Sequence, residues 1–250
     1  MSGHSKWSTI KRKKAAVDAK RGKIFTRLLK EIQVAAKMGG GSPDGNPRLK
    51  TAILSAKSQS VPADNIERAI SRGTGDLEGV DYEEVLYEGY GPGGVAILIK
   101  ALTDNRNRTV AELRFALTRC NGSLASTNAV AYQFTDRGVL TLSKEAISEE
   151  ELFEHALEAG ADDIVDQGDY WEVLSSPTVF EEVKSAVEAL GKEFESELRP
   201  IPAATVTVTG TDADNMLKLL DMLDDIDDVQ NVYSNFDMDE TELEKAIQDR

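Results

Sequence analysis

The run Asp224-Asp225-Ile226-Asp227-Asp228 gathers four carboxylates within five residues. Carboxylates converging on one pocket hold Mg²⁺ for two-metal phosphoryl chemistry, so a nuclease is the first activity to weigh. The spacing argues against it. A contiguous run at a helix end splays its side chains outward, and the bend glycine and distal Glu of an EF-hand loop are missing. The acids also fall where the helix dipole disfavours them. The run is expected to be a solvated turn, with a metal site or a protein-docking site as the alternatives.

Gly89-Tyr-Gly91-Pro-Gly-Gly94 satisfies the string G-x-G-x-x-G, which in a dinucleotide site must follow a strand and open a helix. Here a proline interrupts it and the β-branched run Val95–Ile99 follows, so a tight hairpin turn is expected instead. Cys120 is the single cysteine, and His4 and His155 are the only histidines. That excludes an internal disulfide and argues against a thiolate cluster, a His-rich metal site and a Ser-His triad. Cys120 closes a helix, where the dipole raises a thiol pKa, so it reads as a packed core thiol. No pair of groups has the types and spacing of general acid–base chemistry. The chain reads as non-enzymatic, without cofactor or metal, and no small-molecule substrate is evident.

Charge points elsewhere. The first seventy-five residues hold sixteen Lys and Arg against five acids, a net of +11, and the remainder holds thirteen against thirty-nine, a net of −26. The overall −15 hides a basic head on an acidic body. The local footprint, rather than the total, decides whether a chain meets nucleic acid. Lys6, Lys11, Arg12, Lys13, Lys14, Lys20, Arg21, Lys23 and Arg27 crowd together, with Trp7 and Phe25 among them. Aromatic rings among cations suit base stacking as well as phosphate contact. These bases and Trp7 are the expected nucleic-acid contacts.

Thr103-Asp104-Asn105-Arg106-Asn107-Arg108-Thr109 carries a second signal. Thr, Asp and Asn are ordinary N-cap residues. Arg106 and Arg108 are not explained by capping, because cations in a first turn oppose the helix dipole at about 0.3–1 kcal/mol each. Either an anion docks at the helix N-terminus, as at many phosphate sites, or the two arginines pair with acids of the body. The anion is the favoured expectation, which adds Arg106 and Arg108 to the nucleic-acid contacts.

The elements that must position these groups follow from periodicity. Residues 1–13 have no sustained period and read as a flexible arm. Between Ala15 and Met38, Ile24, Leu28, Leu29 and Ile32 recur at helical spacing, and Gly39-Gly40-Gly41 stops the helix. Asn46-Pro47 opens a helix through Ser58, and Pro62 or Ala63 opens a third, with Gly73 as its C′ residue. Thr74–Asp81 is a linker. Strands then dominate: Tyr82–Tyr90 and Val95–Thr103 form a hairpin, a helix fills 105–121, and Ala129–Phe134 is a short strand. Downstream, Ala204–Thr209, a helix over 212–226 and Val229–Phe236 repeat the pattern. Between them Val139–Leu142, helix 148–159, Ile164–Asp166, Tyr170–Leu174, helix 177–190 and Phe194–Leu198 give β-α-β-β-α-β, the ferredoxin-like split motif.

The fold class predicted is α+β with three domains. A basic all-helical domain covers 1–75. A discontinuous ferredoxin-like domain covers 82–134 and 203–236, a second one is inserted at 137–200, and 237–250 is an acidic tail. The longest apolar runs, such as Val95–Ile99, fall far short of a membrane span. The acid-poor N-terminus is similar to a transit peptide but runs directly into helical periodicity. It is read as mature protein, with the cytoplasm as the expected compartment.

Several strings together resemble the YebC/PmpR family. They are Gly3-His-Ser-Lys-Trp7, Ile10-Lys11, Asp18, Arg21-Gly22-Lys23, Phe25, Asn46-Pro47-Arg48-Leu49, Tyr87-Glu-Gly-Tyr-Gly-Pro-Gly-Gly94 and Thr103–Thr109. The likeness runs from residue 2 to about residue 236. It implies a helical N-terminal domain and two α/β domains, one inserted in the other, in agreement with the order read above. Members are described as DNA-binding transcriptional regulators, and a mitochondrial relative as a translational activator. The resemblance therefore implies a partner that is DNA, or alternatively ribosomal RNA and the ribosome. Where the family has a Gly-rich stretch ending in Gly-Ser-Val, this chain reads Asn121-Gly-Ser-Leu-Ala-Ser-Thr-Asn-Ala-Val130, which would alter any contacts made by that loop.

Overall fold

The computed structural model describes residues 19–239, with side chains from Gly22 onward. Among the described residues the head consists of three helices: α1 Ala19–Gly39, α2 Pro47–Ser58 and α3 Ala63–Thr74. Ile32, Ala35 and Ala36 of α1 pack on Leu49, Ala52 and Ala56 of α2 and on Ile66 and Ala69 of α3. Asn46 sets the corner between α1 and α2. Its Oδ1 accepts from the Leu49 amide at 3.1 Å, and its Nδ2 donates to the Ala35 carbonyl at 2.8 Å and the Gly40 carbonyl at 2.9 Å. The N-cap therefore also satisfies carbonyls that the end of α1 leaves open. Gly73 does not end α3 as expected; Gly75 does, at φ +88°. Gly73 instead lets α3 approach α1, since a Cβ there would lie 2.3 Å from the Gln33 carbonyl oxygen.

The first α/β body opens with β1 Glu83–Tyr90 and β2 Ala96–Thr103, joined by a 3₁₀ turn at Pro92–Gly94. Gly93 and Gly94 adopt φ +69° and +79°, and the Gly91 amide donates to the Val95 carbonyl at 2.8 Å. The glycine string is thus a hairpin turn leading into a strand. Helix α4 Arg106–Arg119 and β3 Ser123–Leu124 follow, and the body resumes near the C-terminus with β8 Val206–Thr207, α7 Gly210–Asp224, β9 Val229–Ser234 and β10 Phe236–Asp237. The sheet order is β3-β1-β2-β9. All its pairs are antiparallel. Helices α4 and α7 cover one face, burying Ile97, Ile99, Leu113, Leu117, Met216 and Leu220. In this ferredoxin-like arrangement the inner position is filled by β1, which precedes the first β-α unit.

The inserted body runs β4 Phe134–Ser143, α5 Glu149–Glu158, β5 Asp163–Asp166, β6 Tyr170–Ser175, α6 Phe180–Glu188 and β7 Phe194–Pro202. Its strands are ordered β5-β6-β4-β7. Every neighbour is antiparallel, the split β-α-β order that the periodicity predicts. The β4–β7 pairing extends to Phe134↔Pro202, so one two-stranded ribbon carries the chain into and out of the insertion.

Three expectations are corrected. Ala129–Phe134 is no strand: Ala131–Gln133 forms a 3₁₀ turn and Phe134 begins β4. Only Val206–Thr207 of the expected 204–209 strand is paired, in a parallel ribbon with β10. Residues 237 and 238 belong to the body rather than to a tail, since Met238 is buried in its core. The rest of the predicted tail, 240–250, lies outside the described residues.

Candidate nucleic-acid interface and the acidic turn that meets its helix

Helix α1 presents Lys23, Arg27, Lys30 and Lys37 along one side, because steps of four, three and seven residues return to the same helical face. Facing it is the end of α7. Lys23 Nζ donates to the Asp225 carboxylate at 2.9 Å and to its carbonyl at 2.8 Å. Arg27 donates to the Asp224 carboxylate at 2.8 Å and also to the Asp224 carbonyl. Lys30 Nζ donates to the Asp227 carbonyl at 3.0 Å and to the Asp228 carboxylate at 2.9 Å. Cations of one domain thus supply the partners and the positive charge that the C-terminal end of a helix in another calls for. The expectation of a solvated turn at 224–228 is corrected in part: Asp225 and Asp227 are exposed, but Asp224, Asp225 and Asp228 take cations of the head on their carboxylates and Asp227 takes one on its carbonyl. Asp225, Asp227 and Asp228 line one open cleft, but among the described residues no group of three or more His, Cys, Asp or Glu is placed to hold a metal ion.

Asp228 is the centre of the joint. Only 2% exposed, it accepts from Lys30, from Arg108 at 2.7 Å, from Thr109 Oγ1 at 2.9 Å and from Thr103 Oγ1 at 3.1 Å. Burial pushes its carboxyl pKa up, but hydrogen bonds from Arg108, Lys30 and Thr109 outweigh that and hold it below the usual carboxylate range. Lys30 also sits over the Tyr82 ring, 5.1 Å from its centroid. Further along α1, Gln33 Nε2 donates to the Val80 carbonyl, Lys37 pairs with Asp81, and Arg48 bridges Glu31 of the head to Glu84 of β1. The linker is therefore fastened along the same helix face.

The Thr103–Thr109 string closes this arrangement. Asn105 caps α4 by accepting from the Arg108 amide at 3.1 Å. Arg106 meets both carboxylate oxygens of Glu83, at 2.5 and 2.6 Å, and Arg108 bridges Asp104 and Asp228. The pairing alternative is the arrangement present. Acids of the body engage both guanidinium groups, so pairing accounts for the two arginines without an anion at the helix N-terminus.

The predicted contacts consequently divide. Lys6, Trp7, Lys11, Arg12, Lys13 and Lys14 lie outside the described residues. Lys20 and Arg21 fall in the first turn of α1, their side chains outside the description. Lys23 and Arg27 are paired with the acidic turn. Elsewhere on the head Lys50, Lys57 and Arg68 are exposed, with Leu54, 59% exposed, between the two lysines on α2.

Sequence reasoning missed Lys30 and Glu88, and it read Asp228 as part of a solvated turn. The stripe spacing on α1 marked Lys30, but nothing local marked its partner. Glu88, 4% exposed, accepts from the amides of Asn128, Val130 and Ala131 at 2.6–2.8 Å. Burial pushes its pKa up, and these amide bonds bring it below the usual range. It pins the 121–131 loop, whose sequence departs from the family pattern. Cys120 is buried in the core, as expected.

Comparison with known proteins matches most of the chain. A sequence model described as the TACO1/YebC protein N-terminal domain matches residues 5–76, and one described as the TACO1/YebC second and third domain matches residues 82–236. A probable transcriptional regulatory protein of Geobacter sulfurreducens is 57% identical over 248 residues, covering 99% of this chain and 100% of its own. One from Desulfotalea psychrophila is 54% identical over 250 residues, with 99% and 100% covered. The crystal structure of a conserved hypothetical protein from Aquifex aeolicus superposes with a TM-score of 0.82 at 44% identity, covering 90% of this chain and 94% of that one.

Proposed function

Since the chain belongs to the TACO1/YebC family, we infer that it is a non-enzymatic, nucleic-acid-binding regulator of gene expression. The observation that carries this reading is the division of charge: a net +11 in the first seventy-five residues against −26 in the rest. Only the head can approach a polyanion, and the body keeps the rest of the molecule away from it. The ion pairs of α1 sharpen the reading. Because Lys23, Arg27 and Lys30 hold the acidic turn, phosphate contact is assigned to Lys6, Lys11, Arg12, Lys13, Lys14, Lys20 and Arg21, with Trp7 stacking on a base. Phosphate contacts give affinity without sequence information, and no recognition-helix signature indicates which bases are read.

The relatives are named probable transcriptional regulatory proteins, which favours a role in transcription, and duplex DNA is the target proposed for that role. No helix among the described residues is long and apolar enough to cross a membrane. Binding isotherms for duplex DNA and structured ribosomal RNA test the reading, with wild type and a Lys11→Glu, Arg12→Glu, Lys13→Glu, Lys14→Glu variant. Loss of binding with an unchanged thermal melt is the expected result, and DNA bound more tightly than RNA supports transcription. RNA preference, with salt-labile sedimentation on ribosomes, moves the target to translation. Unchanged binding of both polymers rejects the head as the footprint.

A further inference from the structure

Between α1, α4 and the α7 turn lies an open cleft of about 950 Å³. Its floor is apolar: Ala111 and Phe115 of α4 face Met222 and Ile226 of the α7 end. Phe115 is 63% exposed there, an unusual position for a phenylalanine on a helix whose other large apolar residues are buried. The rim is acidic, with Glu112 on α4 and Asp225 and Asp227 on the turn. The two cations lining the cleft, Lys30 and Arg108, are both engaged by Asp228. A polyanion is therefore repelled from this surface, and a cationic segment with aromatic or aliphatic side chains fits it.

We propose that this cleft docks the chain's own segment of residues 6–14, seating Trp7 or Ile10 on Phe115 and its bases on the acidic rim. That segment reads Lys-Trp-Ser-Thr-Ile-Lys-Arg-Lys-Lys, the one stretch of the sequence that combines dense positive charge with a tryptophan. The geometry allows the return. Thr26 of α1 lines the cleft, and Lys23 grips Asp225 on its rim, so α1 begins beside the cleft mouth. From Lys23 back to Ala19 is about 6 Å of helix. From Ala19 to Ile10 the chain reaches up to about 30 Å when extended, enough to fold back along α1 into the cleft. Tethering raises the effective concentration to about the millimolar range, so a weak contact suffices. The proposal rests on the reading of this segment as the nucleic-acid footprint for its consequence: the cleft then competes with nucleic acid for the same residues.

The test uses the full chain labelled with 5-fluorotryptophan, which gives two ¹⁹F resonances, from Trp7 and Trp171. Trp171 is buried in the inserted body and reports that the fold is intact. In wild type the Trp7 resonance should show a reduced H₂O/D₂O solvent shift at low salt and a full one near 1 M salt, where charge attraction is screened. Phe115→Ser, which leaves the charge unchanged, should give the full shift at low salt with Trp171 unmoved, and should tighten nucleic-acid binding several-fold. Glu112→Lys with Asp227→Lys should release Trp7 in the same way. A Trp7 resonance fully solvent-shifted in wild type overturns the docking, as does protection that Phe115→Ser and the charge variant leave intact. Protection that grows with protein concentration overturns it in favour of a second copy. A protected Trp7 in a chain that binds no nucleic acid keeps the docking and removes the footprint reading, so the two fail separately.

Discussion

Lys30 and Asp228, 198 residues apart in sequence, meet at 2.9 Å with side chains 9% and 2% exposed. One comes from the helical head and the other from the loop between α7 and β9, so a buried ion pair joins the head to the first α/β body at the centre of the more exposed pairs Lys23–Asp225, Arg27–Asp224 and Arg48–Glu84. Burying both charges is costly, and the pair is retained only because Arg108, Thr103 and Thr109 complete its hydrogen bonds.

Removing Asp228 should therefore be severe. Asp228→Ala leaves Lys30 buried without its carboxylate and should cost about 3–5 kcal/mol in urea unfolding. Lys30→Met should cost less, because Asp228 keeps Arg108 and both threonines. Equal losses in the two variants would contradict this division.

The outer end of the stripe should matter little. Lys23 and Asp225 have side chains 39% and 74% exposed. Solvent and salt screen such a pair, so Lys23→Ala should change stability by about 0.2–1 kcal/mol, vanishing at high salt. A double-mutant cycle with Asp225→Ala measures it.

Acid sensitivity follows from Asp228 and Glu88. Both have folded pKa values below the usual carboxylate range. A depressed folded pKa contributes stability above the unfolded value of about 4 and loses it as pH falls through the folded value. Stability should thus fall below about pH 4, and Asp228→Asn or Glu88→Gln should flatten that limb in melts from pH 5 to pH 2. An unchanged limb in both variants would contradict the assignment.

Glu88→Ala should free the 121–131 loop. Three amides lose a buried acceptor, at about 1–3 kcal/mol in total stability. Hydrogen exchange at Asn128, Val130 and Ala131 should accelerate together, whereas Glu88→Gln, which keeps one acceptor oxygen, should show a smaller change.

Arg106 and Arg108 should separate structure from binding. Arg108→Ala removes a partner of buried Asp228 and should lower the melting temperature, while Arg106→Ala should lower it less. Neither should change nucleic-acid affinity. Weakened binding with unchanged melts would restore the anion reading.

Much of the fold was legible because it is local. Asn46-Pro47 specifies its helix start by capping geometry, and the β-α-β-β-α-β order of the insertion follows from periodicity alone. Ala129–Phe134 misled because its apolar residues serve a 3₁₀ turn packed on Tyr233, Ala96 and Leu98 rather than a ladder. The place of β1 in the sheet could not be read, since strand order depends on long-range pairing. The acidic run misled for the same reason. Its local spacing suggests a solvated turn, and its partners Lys23, Arg27 and Lys30 lie about two hundred residues away. The charge division, which depends on no pairing at all, was legible in full.

The measurement that tests the central claim most directly is the salt dependence of nucleic-acid binding in two variants. For duplex DNA the slope of log affinity against log salt falls by about 0.9 for each phosphate contact removed. Changing Lys11, Arg12, Lys13 and Lys14 to Ala should flatten the slope by up to about 3.6 units and weaken binding. Changing Lys23 and Arg27 to Ala should leave the slope unchanged, because these residues hold Asp225 and Asp224. A slope that flattens with Lys23 and Arg27 but not with the four residues of the N-terminal segment would contradict the account.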